Sequence, residues 1–467
     1  MPKFDTPEEK FQWLTTAPLP PLIGRLAVPT IISMLITSIY NMADTYFVGS
    51  LGESAQGAVG VVFSLMAIIQ AIGFTFGNGA GNTASRLLGR QEVDRAETVA
   101  AGGFFGGLAA GGVLAAAGLV FLGPLVDLLG ATETIRPYAM DYARYILIGA
   151  PWMVGSLVLN NLLRFSGNAS RAMVGITAGG VLNILLDKLL IFGIGPIPAL
   201  GTGGAALATI ISQFISFCIL LYLSGRGGSL PVRWRRFTLK GGVMGDILRG
   251  GLPSLYRQGL ASVATILLNW AAKPFGDAAI AAMTIVSKVN LFSGSALIGF
   301  GQGFQPVCGF NYGARLYDRV RRGFWFCVRV GTVALCAITA VMILIAPWLV
   351  YRFQPEAPAV WPLGIAALRA QMLTLPLTAY VIINNMMLQT VGETARASVV
   401  ALARQGVFFV PLILILPPLW GFTGVMLAQP VADICAFLLT IPLSATFLSK
   451  LRRLEGTDIV KGGSEDG

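Results

Sequence analysis

The chain alternates long apolar stretches with short polar breaks, and the stretches are longer than a soluble core requires. Twelve can be placed, at residues 22–48, 55–81, 96–122, 136–163, 171–193, 201–224, 248–272, 279–307, 323–348, 361–389, 396–416 and 421–447. Each is long enough to cross about 30 Å of hydrocarbon as a helix. Helices are expected because lipid offers no partner for an unsatisfied backbone group. The pattern predicts an all-α integral membrane protein with twelve transmembrane helices. Met1 to Thr16 is polar and mixed in charge, without the basic start and cleavage site of a signal peptide, so the first apolar run is expected to be retained.

The pattern also repeats. From Ile23 to Arg95 the chain matches itself at an offset of 224: Arg25 with Arg249, Pro29 with Pro253, Gly52 with Gly276, Gly79 with Gly303, Gly89 with Gly313 and Arg95 with Arg319. Asn160 and Asn161 match Asn384 and Asn385, and Gly201, Gly204 and Ala208 match Gly421, Gly424 and Ala428. Two pseudo-symmetric six-helix lobes follow, 22–224 and 247–447, joined by a basic, Gly-rich link at 225–246. Residues 1–21 precede them and a tail at 448–467 follows. Six spans per lobe make the repeats parallel, an arrangement whose halves rock about a central site. Pro29 and Pro253, early in the first helix of each lobe, each remove a backbone donor and are expected to act as hinges.

Composition adds direction. Of 467 residues, 55% are hydrophobic and 12% charged, with mean hydropathy +0.73. The net charge of +11 would suit nucleic acid, but the basic residues fall in alternate breaks. Arg86, Arg90 and Arg95, then Arg164 and Arg171, then Arg226, Arg233, Arg235, Arg236 and Lys240, then Arg315, Arg319, Arg321 and Arg322 mark one side, with Lys450, Arg452 and Arg453 in the tail. That side, with both termini, is expected to be cytoplasmic. The Trp234–Arg236 cluster reads as a loop resting on anionic lipid, not as a nucleic-acid site. There is no His, so any proton chemistry within the bilayer falls to carboxylates, Tyr or Lys. The five cysteines lie in apolar stretches without a C-x-x-C pair and read as packing residues; no metal site is expected.

Three acids lie well inside apolar spans: Asp44, Asp187 and Asp433. A charge there is costly enough to suggest function. Asp44 and Asp187 lie about five and six residues from the outer ends of spans one and five, so they share a depth. Asn183 is one turn from Asp187 on the same face, and Tyr142 and Thr209 reach a similar level. Two carboxylates with amide and hydroxyl oxygens can share a proton or hold a monovalent cation; the sequence leaves both open. Lys288, Asn160, Asn384 and Asp433 are candidates for the substrate cavity, and Arg257 is a further cation in span seven.

Tyr40–Gly52 (YNMADTYFVGSLG), Ser85–Ala96 (SRLLGRQEVDRA), Asn183–Asp187 (NILLD) and Gly309–Ala314 (GFNYGA) resemble the MATE family, multidrug and toxic compound extrusion transporters, most of all its prokaryotic DinF-like or MepA-like branch. The resemblance covers about residues 22–447. It implies a secondary antiporter that exports amphipathic, often cationic drugs in exchange for H⁺ or Na⁺ by alternating access, with Asp44, Asn183 and Asp187 forming the cation site and Tyr142 and Thr209 beside it. It implies a bacterial inner-membrane location, with small-molecule drugs and the lipid bilayer as partners and no nucleic acid. No cofactor beyond the coupling ion, no enzymatic activity and a monomeric state are expected. Two other readings are a lipid-linked oligosaccharide flippase, which calls for several cavity cations, and a polytopic membrane enzyme, which lacks a catalytic constellation here. A nucleotide-driven pump is excluded by the missing G-x-x-x-x-G-K-[ST] loop.

Overall fold

The computed structural model describes residues 6–51, 53–193, 198–226, 228–238, 242–355 and 357–462. Gly52 of the repeat and Lys240 of the basic link lie outside them. Among the described residues the chain is helical throughout, without strands. The first lobe comprises α2 (Leu19–Gly49), α3 (Glu53–Gly89), α4 (Val93–Val120) with its short extension α5 (Leu122–Leu128), α6 (Arg136–Phe165), α7 (Ala169–Phe192) and α8 (Gly201–Ser224). The second comprises α9 (Val243–Ala272), α10 (Asp277–Gly313), α11 (Tyr317–Phe353), α12 (Val360–Val391), α13 (Thr394–Leu402), which runs through a π-helical turn at Ala403–Phe408 into α14 (Phe409–Trp420), and α15 (Phe422–Gly462). A short α1 (Pro7–Thr16) precedes them all.

Among the described residues eleven spans are long and apolar enough to cross a membrane, counting α13 to α14 as one rod. The twelfth, α9, has the length, 30 residues, but is diluted by Asp246, Arg249 and Arg257. Both proline candidates lie inside unbroken helices, Pro29 in α2 and Pro253 in α9. Several helices run past the apolar spans at the basic end: α3 continues to Gly89 and α10 to Gly313.

Packing repeats as the sequence does. Within the first lobe α3 packs on α6, α4 on α6, α7 on α8 and α2 on α7; within the second α10 packs on α12, α11 on α12, α14 on α15 and α9 on α13. Between lobes, the second helix of each packs on the first helix of the other, α3 on α9 and α10 on α2. Glycines make this approach possible. A Cβ on Gly79 would fall 2.0 Å from the Ile247 carbonyl oxygen, and one on its mate Gly303 would fall 2.5 Å from Ala27 Cα. Gly89 meets the backbone of Phe310 while Gly313 meets that of Arg86, again mates at an offset of 224. One correction applies: Asn160 donates to Ala172 O at 3.2 Å and Asn385 to Ala397 O at 2.7 Å, so these two are structural mates and the register has moved by one residue.

All of these close contacts lie in the half that carries the basic clusters. There Asn78 donates to Ser254 Oγ (2.8 Å), Arg86 to Thr390 O (2.6 Å) and Thr390 to Asn82 Oδ1 (2.9 Å). The outermost described hydrogen bond between lobes joins Ser38 and Ser295 at 3.0 Å. The described hydrogen bonds and glycine contacts between the lobes therefore cluster toward the basic end.

Two segments at the basic end add to the sequence reading. The Trp234–Arg236 turn is docked: Arg236 pairs with Asp94 at 2.6 Å and Glu97 at 3.4 Å, and Trp234 packs edge-on against Phe105. Helix α1, unread in the sequence, starts on a Thr6 cap and lies across the basic end. Lys10 donates to Gly228 O (2.7 Å) on the first-lobe side, while Asn311 and Arg319 of the second lobe donate to Leu14 O (3.0 Å) and Ala17 O (2.7 Å). Burial, helped by the like charge of Arg171, pulls the Lys10 ammonium down to about 7.

Candidate functional site

Helices α2, α6, α7 and α8 bring five of the anticipated residues together in the first lobe. Tyr142 OH donates to Asp44 Oδ2 at 3.5 Å. Asn183 Nδ2 lies 3.4 Å from both Asp187 Oδ1 and Thr209 Oγ1. Asp187 and Tyr142 are fully buried and Asp44 is half-buried. The approach of α2 to α7 depends on Gly180, where a Cβ would crowd the Tyr40 ring at 3.1 Å. That contact brings in two residues the sequence did not single out, Tyr40, one turn before Asp44, and Gln213, which faces it. Their i−4 and i+4 spacing from Asp44 and Thr209 was the available signal.

The cluster is under-satisfied. Asp44 Oδ1 and Asp187 Oδ2 are buried without a hydrogen-bond partner, and the existing bonds are long. Among the described residues neither aspartate has a Lys or Arg in ion-pair range. Two acids of one lobe in a weakly polar interior, each short of cations and donors, favour a proton or a monovalent cation as partner. The groups present are hard oxygens: carboxylate, amide, hydroxyl and phenol. Among the described residues no group of His, Cys, Asp and Glu could hold a metal ion by three such side chains.

The other candidates are dispersed. Asp433 is engaged by Arg404 (2.7 Å) and Gln429 (2.8 Å) inside the second lobe. Asn160 bonds within its own lobe, and Asn384 is fully buried with both side-chain polar atoms unpartnered. Lys288 is exposed and shares the α10 stripe of Ser295, which meets α2. Arg164, read as a basic loop residue, instead lies within α6 at 2% exposure between the lobes. It donates to Gln305 Oε1 (3.1 Å), Asn78 Oδ1 (3.2 Å) and Asn161 Oδ1.

The MatE family model matches the chain twice, over residues 29–189 and 253–415, the two matches starting at Pro29 and Pro253 and so repeating the offset of 224. The chain belongs to the MATE family. Among its curated relatives is the multidrug export protein MepA of Staphylococcus haemolyticus, 27% identical over 418 residues that span 88% of this chain and 90% of that protein. Among solved structures, an outward-facing multidrug resistance MATE transporter of the MOP superfamily superposes with a TM-score of 0.89 at 27% identity, covering 95% of this chain and 99% of that one. A MOP superfamily transporter from Pyrococcus furiosus, described as having a binding pocket of reverse polarity, gives 0.88 at the same identity and coverage. This MATE protein is a multi-pass membrane transporter and not an enzyme. Its fold is the twelve-helix, two-lobe arrangement anticipated from the apolar pattern.

Proposed function

We propose that this MATE transporter exports amphipathic organic compounds across the bacterial inner membrane, both termini cytoplasmic, in exchange for H⁺ or Na⁺. The lobes at 22–224 and 247–447 would rock as units about the cleft. The observation that carries the reading is the under-satisfied Asp44–Asp187 pair. In the outward-open arrangement the pair faces ion at the high-concentration side. Loading neutralises the repulsion between the carboxylates and lets α2 repack around Tyr142 and Asn183. That movement, hinged near Pro29, changes the shape of the cleft and releases the compound outward. Similarity to MepA proteins supports multidrug export as the activity.

The test is efflux from proteoliposomes with a pH gradient or a Na⁺ gradient imposed separately. One gradient should drive efflux in the wild type, and Asp44→Asn and Asp187→Asn should each remove the driven component at equal reconstitution. Gradient-driven efflux that survives both substitutions would overturn the reading.

A further inference from the structure

The polar groups where the lobes meet at the basic end are unevenly matched in charge. Arg164 is enclosed, and each acceptor it meets is a neutral amide, on Asn78, Asn161 or Gln305. Its Nε is buried without a partner. Arg257 of α9 follows Ser254 by one helical turn, and Ser254 accepts from Asn78, whose own oxygen accepts from Arg164. Arg257 lies seven residues from Gly250 and three from Ser254, both of which face α3 across the lobe boundary, so it projects between the lobes one turn farther from the basic end. It is half-buried. Among the described residues Arg257 has no hydrogen-bond or ion-pair partner, and Arg164 has no carboxylate. Among the described span arginines, Arg86 likewise donates only to neutral groups, Thr390 O and Thr83 Oγ1, whereas Arg404 has Asp433.

We propose that Arg164 and Arg257 form an anion site at the inner end of the cleft, and that the compounds occupying the cleft are organic amphiphiles bearing a carboxylate or a comparable oxyanion. Two adjacent guanidinium groups without a counter-charge are strongly unfavourable in a weakly polar interior. An anionic head supplies that charge, and the planar donor forks suit oxyanions. Because Arg164 belongs to the first lobe and Arg257 to the second, an anion between them also removes the repulsion that opposes locking. A compound arriving from the basic side would thus promote closure behind itself. The assignment of substrate class rests on the efflux reading above; the anion site itself does not.

Rhodamine B and its ethyl ester isolate the carboxylate, since both keep the cationic ring system. Binding of each dye to purified protein by fluorescence anisotropy, alongside ion-driven uptake into proteoliposomes, tests the proposal. The wild type should bind rhodamine B about tenfold or more tighter than the ester, the size of a charge-assisted hydrogen bond. Arg257→Gln should erase that preference and Arg257→Lys should keep most of it. Equal binding of the two dyes by the wild type, or equal weakening of both by Arg257→Gln, would overturn the proposal. Displacement of rhodamine B by excess inorganic phosphate would overturn the organic-substrate assignment. Intact carboxylate preference without driven uptake of either dye would refute the antiport reading and uphold the anion site.

Discussion

The two lobes share one architecture and differ in what they do with buried charge. In the first, Asp44 and Asp187 each keep a buried oxygen without a partner, and among the described residues neither has a cation in ion-pair range. In the second, the position equivalent to Asp44 is the buried Leu268, and among the described residues the enclosed acid, Asp433, is held by Arg404 and Gln429. Where the lobes meet, by contrast, they are matched: Gly79 and Gly303 serve the same close approach from opposite sides. On the proposed function, duplication has kept the packing symmetric and left the ion chemistry to one half. An acid with its own arginine has no use for a coupling ion, whereas an acid facing another acid needs one.

The comparison can be broken most severely at the acid pair. Asp187→Asn or Asp44→Asn should lower gradient-driven efflux by about a hundredfold or more, roughly 2.7 kcal/mol or above, with expression unchanged. Asp433→Asn combined with Arg404→Gln should leave driven efflux within a few-fold of wild type in the same assay. Arg404→Met alone should instead destabilise the fold by about 2–3 kcal/mol, read as a lowered Tm in detergent. This falls at or below the usual range for a broken buried pair because Arg404 keeps 30% side-chain exposure. Pairing it with Asp433→Asn should recover most of the loss.

The shared interface gives a smaller and symmetric effect. Gly79→Ala and Gly303→Ala each place a methyl group against opposing backbone and should disfavour the locked state by about 1–3 kcal/mol. Maleimide labelling of a cysteine introduced near Asn82 should rise to a similar extent in both, and a rise in only one would show that the lobes are not mechanically equivalent.

The smallest effect is expected at α1. Lys10 sits at about 7, below its usual 10.5, so the docked helix binds fewer protons than the free segment between those values. Docking should therefore strengthen as pH rises from about 7 toward 10.5 and be weakest below 7. Hydrogen exchange of Phe11 to Thr15 should follow that curve, and Lys10→Met should flatten it.

Much of this was legible in the sequence because a charged residue in an apolar run is conspicuous. Asp44 and Asp187 could be placed at one depth by counting from span ends, and Asn183 by one helical turn. Arg164 could not, since it closes α6 beside Arg171 and looks like a basic loop residue until α10 is seen to cover it. Arg404 lay hidden in an apolar run: it stands 17 residues before Gly421 and Asp433 stands 12 after it, a mismatch in counted depth that conceals their pairing. Helix α1 carries mixed polarity because it covers a polar helix-end surface, so no apolar pattern marks it. The one-residue shift at Asn385 leaves the aligned Asn–Asn pairs superficially intact.

Ion release on substrate binding tests the central claim most directly. Purified protein in weakly buffered solution is titrated with a transported compound while pH and free Na⁺ are followed together. The account predicts release of one of the two ions by the wild type and by the Asp433→Asn, Arg404→Gln double variant, and none by the Asp44→Asn, Asp187→Asn double variant. Undiminished release from the latter would contradict it.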